Sequence, residues 1–360
     1  MVTDAYGGRG GIALYNRNLL QAICQHLQTE QVVVIPRIVV YEREKLPRNL
    51  NFVMDAIGSK FKYLLACVRV ALTKDRFDLI VCCHLHLLPF AHLIKLFMKC
   101  PIIPVIYGIE AWNPTPHWIA NRLCRKLGTF ISIREFTARR FIDWAGLERA
   151  KFYCLPNCID ESQYGVARKP QVLLDRYGIA GKTVIMTTGR LDEGKKGFDE
   201  ILEVLPDLRK QIPGLAYLIV GDGPDRGRLT KKAEDLGVRD LVIFTGYVSS
   251  AEKADHYRLA NVFAMPGRDK AFDRYPYRFV FLEALACGVP VVGCRLEDKT
   301  EMNDPYAQKL IIQVDPNNKE EIIQGILEAL PLSGRIPPEL SNFYFPSFSR
   351  KVHQIIDGLQ

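Results

Sequence analysis

The sequence predicts an α/β protein made of two units with parallel sheets. Three observations carry this. The chain has 360 residues, too many for one core of typical size, so two domains are expected. Short β-type runs alternate with helix-period segments through both halves, the pattern of parallel strands joined by crossover helices. Pro, Asn and Asp cluster in "LPNCIDESQYG", 155–165, and mark a junction near the middle. The expected boundaries are 1–160, 161–340 and a terminal helical segment, 341–360. One option for that last segment is to pack back toward the first domain.

In the first half, "VVVI" (32–35), "DLIVCC" (78–83), "PIIPVIYG" (101–108) and "TFISI" (129–133) read as strands, with helices over 11–27 and 61–73 between them. The opening "MVTD" is short for a first strand, consistent with a few residues missing upstream. "FKYLLACVRVALTK" reads as a surface helix packed on a sheet, with Lys60, Lys62, Arg69 and Lys74 on its polar side. The second half is more regular. Strands "KTVIMTTGR", "LAYLIVG", "LVIFTG", "NVFAMP" and "VPVVG" alternate with helices through Phe198–Leu208, about Pro224–Leu236, "SAEKADHYRLA" and "FVFLEALACG". "FPSFSRKVHQIIDGL" forms one more helix.

Apolar residues make up 48% and charged residues 24% of the chain, which excludes a disordered or fibrous class. "LIVCCHLHLLPFAHLIKLFM" is the most lipid-like stretch, but His84, His86, Pro89, His92 and Lys95 interrupt it. A span needs about 20 apolar residues in a row, so none is expected. "MVTDAYGGRGG" has no apolar core of a secretory leader. The ten cysteines contain no C-x-x-C pair and read as reduced core residues of a cytoplasmic protein, peripheral at the inner membrane as an option. Residues 1–165 hold 21 Lys plus Arg against 13 Asp plus Glu, while the remainder balances at 27 of each. This one-sided charge suits an anionic surface or substrate, or simply a solvated basic face.

From Gly8 the chain reads G-x-G-x-x-A, a dinucleotide fingerprint. A nicotinamide site would place a carboxylate after the second strand. Pro36 and Arg37 stand there instead, which argues against NAD. Gly7, Gly8, Gly10 and Gly11 still allow close backbone approach to an anion at a helix start, with Arg9 adding charge. In "GRLDEGKKGF", 189–198, Arg190 ends a strand and Lys196 precedes a helix. Two cations at such a junction suit a diphosphate and the charge it develops on leaving. In "RFVFLEALACGVPVV", 278–292, Glu283 lies on an otherwise apolar helix, where a carboxylate needs a partner such as a ribose diol.

Together, "GRLDEGKKGFDEILEVLPDL", "LIVGDGPDRGRL", "VIFTGYVS" and "FLEALACGVPVV" resemble the retaining GT-B glycosyltransferases of family 4. The resemblance implies two Rossmann-like domains facing across a cleft, with the nucleotide-sugar on the second and the acceptor mostly on the first. It assigns the donor diphosphate to Arg190 and Lys196, ribose to Glu283, and the base to groups from Phe244 and Thr245 to Tyr247. Gly8 and Gly10 would approach the phosphates and sugar. Arg278, Phe279 and Val280 open the Glu283 helix beside the donor. Two departures stand out. The family's first Glu of E-x7-E is Tyr275 here, with Asp273 a substitute and Asp269 nearby, and Pro276-Tyr277-Arg278 replaces Gly-Phe-Gly. Arg278 would meet phosphate or the carboxylate of an acidic sugar. Tyr107-Gly108 replaces the family's His-Gly, leaving Glu110, with Asp4 as a second option, as the polar group near the reacting sugar.

His84 and His86 alternate on one expected strand face near Cys82, a weak hint of zinc that no fourth ligand supports. No metal, cofactor or nucleic acid is expected. The implied function is metal-independent transfer of a hexose, glucose first and glucuronate second, from a UDP-sugar to a glycan or lipid-linked acceptor. An anionic membrane is an option for peripheral contact. The alternatives are a UDP-sugar epimerase on the same scaffold and a non-catalytic nucleotide-sugar-binding protein.

Overall fold

The computed structural model describes residues 1–73, 76–192, 196–267, 278–295 and 305–359. They form two compact units, Met1–Cys158 with Phe345–Gln360, and Ile159–Tyr344.

The first unit runs α1 (Gly11–Cys24), β1 (Val32–Val34), β2 (Leu50–Phe52), α2 (Lys60–Ala71), β3 (Ile80–Cys82), α3 (Leu88–Met98), β4 (Ile102–Ile106), α4 (Trp118–Cys124), β5 (Thr129–Ser132), α5 (Glu135–Ala145) and β6 (Lys151–Cys154). Strands β3-β4-β5-β6 form one parallel sheet, and β1 pairs with β2, also in parallel. The opening "MVTD" is not a full strand. Val2 alone bridges Pro36 on one side and Cys83 on the other, both in parallel. Thr3 then spends its carbonyl on the amides of Arg37 and Ile38, and the chain turns into the glycine loop. Val2 thus joins the two sheets into the row β2-β1-Val2-β3-β4-β5-β6. Chain order reverses between Val2 and β3, so their carboxyl ends flank the switch point where ligands of such sheets bind.

Phe130 stacks on Phe152 at 5.8 Å and meets Phe141 edge-on at 5.1 Å, which fills the core under β5 and β6. After the second unit the chain returns as the last helix, Phe345–Asp357, which buries Phe348, Val352 and Ile355. His353 bonds the Ala22 carbonyl at 2.9 Å, and Phe348 meets Tyr15 edge-on, so this helix packs on α1.

The second unit runs α6 (Gln171–Tyr177), β7 (Thr183–Thr188), α7 (Phe198–Gln211), β8 (Leu215–Val220), α8 (Arg226–Asp235), β9 (Val242–Gly246), α9 (Lys253–Leu259), β10 (Val262–Met265), α10 (Phe279–Ala286), β11 (Val291–Cys294), α11 (Pro305–Leu310), β12 (Ile311–Val314) and α12 (Lys319–Ala329). The last helix, Phe345–Asp357, is accordingly α13. All strands are parallel, in the order β12-β11-β10-β7-β8-β9, so the switch point lies between β7 and β10. Every β8 side chain is buried, as a strand covered on both faces requires. Helix α7 supplies Ile201, Leu202, Leu205 and Leu208 at helical spacing to the same core.

An ion cluster joins α7 to α8. Asp199 accepts from Arg228 at 2.7 Å and Lys232 at 2.8 Å, and Glu203 accepts from Lys232 at 2.7 Å. Burial alone would raise the Asp199 carboxyl, but the bonds from Arg228 and Lys232 outweigh it and hold it at about 2. The folded value lies below the unfolded one. The stabilisation is therefore complete above about pH 4 and is lost as pH falls toward 2. Asp199→Asn should cost about 1–2 kcal/mol at neutral pH. Urea unfolding of both proteins should show that gap closing between about pH 4 and 2.

Candidate functional site

In the second unit the switch point is built by glycines that admit no side chain. Gly189 follows β7, and Gly221 and Gly223 follow β8. A Cβ on Gly221 would lie 1.9 Å from the Gly189 carbonyl oxygen, and one on Gly223 would lie 2.2 Å from that of Leu191. The Leu191 amide donates to the Asp222 carbonyl at 3.0 Å, and the Asp225 amide donates to that of Leu191 at 3.2 Å. The two loops are thus locked backbone to backbone, which fixes where Arg190 emerges. Arg190 is exposed. Lys196 lays its alkyl stem across Gly189, with Cγ, Cδ and Cε 3.4–3.6 Å from where a Cβ would stand. A Cβ on Gly197, at φ +81, would lie 2.8 Å from the Pro266 nitrogen, so a glycine there lets the start of α7 pack on the end of β10. Arg190, Lys196 and the first amides of α7 therefore belong to one strand–helix junction.

Arg278 precedes α10, places its guanidinium 5.5 Å from the Phe281 ring centre, and contacts the Met265 sulfur at 3.2 Å. Phe279 and Val280 are half-buried behind it. Glu283, 1% exposed, is already satisfied within the protein. Tyr257 donates to Oε2 at 2.7 Å, and Lys253 reaches Oε1 at 3.1 Å and Oε2 at 3.3 Å. Burial, and then the Glu283 carboxylate, push the Tyr257 and Tyr164 hydroxyls well above their ordinary range, so both stay protonated donors. The apolar helix requires a partner for Glu283, which the sequence places in a ligand diol and the structure supplies from α9. Lys253 and Tyr257 stand four apart on α9, hence on one face, and that spacing was the available signal.

Near β9, the Arg226 guanidinium lies 5.6 Å from the centre of the Phe244 ring, and Thr245 donates to the Gly246 carbonyl at 2.8 Å. Tyr247 is exposed. Asp269, Asp273 and Tyr275 lie outside the described residues.

In the first unit, Gly10 sits at φ +97 with open space where a Cβ would be, at the start of α1. Gly8 is packed against Asp4 and Ala13. The Gly7 amide donates to Glu44 at 2.9 Å, and Arg17 pairs with the same carboxylate. Burial raises the Asp4 carboxyl. Glu110 accepts from the Tyr107 amide at 2.6 Å and the Gly108 amide at 3.1 Å, so it shapes the turn that follows β4. The Tyr107 hydroxyl is buried on Asn16.

His84 and His86 do not alternate on a strand. β3 stops at Cys82, and the His84 ring accepts from the His86 amide to start a 3-10 turn. Burial and the neighbouring His86 push His84 down to about 4. Among the described residues, no group of three or more His, Cys, Asp or Glu side chains is arranged to hold a metal ion.

Residues 182–331 match the family model of glycosyl transferases group 1, and residues 9–163 match that of glycosyltransferase family 4. The chain belongs to these glycosyltransferases. It is 34% identical over 204 residues to the GDP-mannose-dependent alpha-(1-6)-phosphatidylinositol monomannoside mannosyltransferase of Mycolicibacterium smegmatis, a match over 54% of this chain and 52% of that one. It is 33% identical over 175 residues to the phosphatidyl-myo-inositol mannosyltransferase of the same organism, over 48% and 42%. The chain thus spans about half the length of the curated relatives it matches.

Among solved structures, HepE of Anabaena in complex with UDP superposes with a TM-score of 0.73 at 17% identity, over 99% and 98% of the two chains. The sucrose-phosphate synthase of Thermosynechococcus elongatus gives 0.72 at 15%, over 99% and 95%. These likenesses establish the GT-B glycosyltransferase fold.

The locked loops give a direct test. Gly223→Ala must displace backbone and should cost about 1–3 kcal/mol. Gly227→Ala, on exposed α8 with nothing near its Cβ, should be neutral or stabilising by about 0.5–1 kcal/mol. Guanidinium unfolding of the two variants measures the difference.

Proposed function

We propose that the protein is a retaining, metal-independent hexosyltransferase that moves a sugar from a nucleoside diphosphate to a lipid-linked or glycan acceptor. The observation that supports it is the convergence of Arg190 and Lys196 on the Gly189 junction, at the switch point of the second sheet. Two cations and the first amides of α7 there would bind a diphosphate and stabilise it as a leaving group. Glu283 would turn its carboxylate to ribose hydroxyls, with Tyr257 and Lys253 fixing its orientation. Phe244 and the backbone near Thr245 would flank the base.

In the step proposed, the bond from sugar C1 to the phosphate oxygen breaks. The acceptor oxygen bonds C1 on the same face, and its proton passes to the departing phosphate. The cations at 190 and 196 would do what a metal ion does elsewhere.

Three donors merit test. Relatives near 34% identity are named as GDP-mannose-dependent, which favours mannose from GDP-mannose. UDP-glucose, expected from the family resemblance, is the second, and Arg278 keeps UDP-glucuronate in the panel. Nucleotide release from each donor, with and without a phosphoinositide or glycan acceptor, separates the readings. Acceptor-dependent release that survives chelation of metals is expected, and Arg190→Ala or Lys196→Ala should lower kcat about 100- to 1000-fold. Conversion of a sugar nucleotide without acceptor would mean an epimerase, and binding without turnover a non-catalytic receptor.

A further inference from the structure

The connection from β4 to α4 is held in place although it has no regular structure of its own. At its start the Trp112 indole donates to the Thr137 hydroxyl at 3.1 Å, and the Ala111 carbonyl accepts from Trp144 at 2.7 Å. Residues 113–117, "NPTPH", follow, and Pro114 and Pro116 fix two of their φ angles. Asn121 on α4 then clasps the buried Thr115. Its side-chain oxygen accepts from the Thr115 amide at 2.8 Å and hydroxyl at 2.9 Å, and its nitrogen donates to the Thr115 carbonyl at 2.7 Å. The His117 amide donates to the same hydroxyl at 3.2 Å. None of these bonds buries what comes next. His117 is exposed, and Trp118 is 70% exposed. A locked loop that presents an indole to solvent contributes nothing to the core, and rigidly held loops are where binding side chains gather.

The same end of the first sheet carries a row of imidazoles. His84 and His86 follow β3, and α4 packs against their turn. The centre of the His86 ring lies 4.8 Å from that of His84 and 5.1 Å from that of His117, which it meets edge-on. Burial, and then the neighbouring imidazole, lowers both His84 and His86, so both are uncharged at neutral pH. The His84 Nδ1 accepts from the His86 amide at 3.2 Å, which leaves its proton on Nε2. A neutral imidazole offers one donor and one acceptor, the complement of sugar hydroxyls, whereas a phosphate calls for a fixed cation. An open indole face suits the rest of a pyranose, whose C–H groups are slightly positive and meet the negative face of the ring. The row follows β3, whose carboxyl end flanks the switch point of the first sheet.

We propose that His86, His117 and Trp118 form a subsite for a neutral pyranose of the acceptor, with the indole stacked on the sugar and the imidazoles bonded to its hydroxyls. This deepens the transferase reading and rests on it for purpose. Of the acceptors left open there, it selects one that carries an uncharged sugar.

The test is saturation-transfer NMR on the full chain, without donor, using methyl α-mannoside, methyl α-glucoside and glycerol phosphate as probes. At least one glycoside should bind in the millimolar range, and glycerol phosphate should not displace it. Trp118→Ala, and the pair His86→Ala with His117→Ala, should each weaken that binding about tenfold. All these positions are exposed, so melting temperature should stay unchanged. In transfer assays the same variants should raise KM for a sugar-bearing acceptor and leave kcat nearly as it was. No glycoside binding up to about 100 mM, binding or KM that ignores the variants, or displacement by glycerol phosphate overturns the proposal. So does a Trp118→Ala protein that loses vesicle flotation but keeps its glycoside affinity, which would give the indole to lipid. Glycoside binding that depends on these side chains, without any sugar transfer, would sink the transferase reading and leave the subsite standing.

Discussion

The second unit depends on a contact between two stretches of backbone. The loops after β7 and β8 approach so closely that no Cβ fits at Gly221 or Gly223, and carbonyls and amides of Leu191, Asp222 and Asp225 close the gap. A loop that carries charged side chains usually samples many positions. Here the chain before Arg190 and the chain after it are both held by the neighbouring strand, so the cation projects from a fixed base. Gly197 does the same for Lys196 by pressing α7 against Pro266. Preorganisation of this kind is what makes a pair of cations useful to a leaving group, because no reorganisation is left for the moment of reaction.

Glu283 shows the opposite economy. A carboxylate at 1% exposure in an apolar helix would be costly alone, yet Tyr257, Tyr164 and Lys253 supply donors from neighbouring elements. The two phenol hydroxyls and the Lys253 amine, which is partly open to solvent, keep the group aimed. A polyol arriving there would meet an acceptor already desolvated, and would join an existing network rather than create one.

Much of this was legible in the sequence, and the exceptions share a cause. The strands expected from apolar runs include the interior β7, β8 and β10, which are buried on both faces, and one edge strand of the second sheet, β9. The three that were not foreseen, β2, β6 and β12, are all edge strands. β6 buries none of its four residues fully, and the apolar stretch in its sequence "KFYC" is only three residues long. Side-chain networks were also out of reach. The opening glycines suit an anion cradle, and nothing local in the sequence reveals that Glu44, 37 residues on, takes the Gly7 amide. Glu110 has the place after a strand that suits chemistry, and its bonds to two preceding amides give it a local shaping role as well. The helix at 61–73 was visible from its period.

Nucleoside diphosphates are proposed to bind where the β7 and β8 loops lock. Amide hydrogen exchange with and without GDP or UDP is the decisive measurement. Exchange should slow at Gly189–Leu191, at Gly197–Phe198 and at Gly221–Gly223. Slowing confined to the Gly7–Gly11 loop of the first unit, or none in either unit, would contradict it.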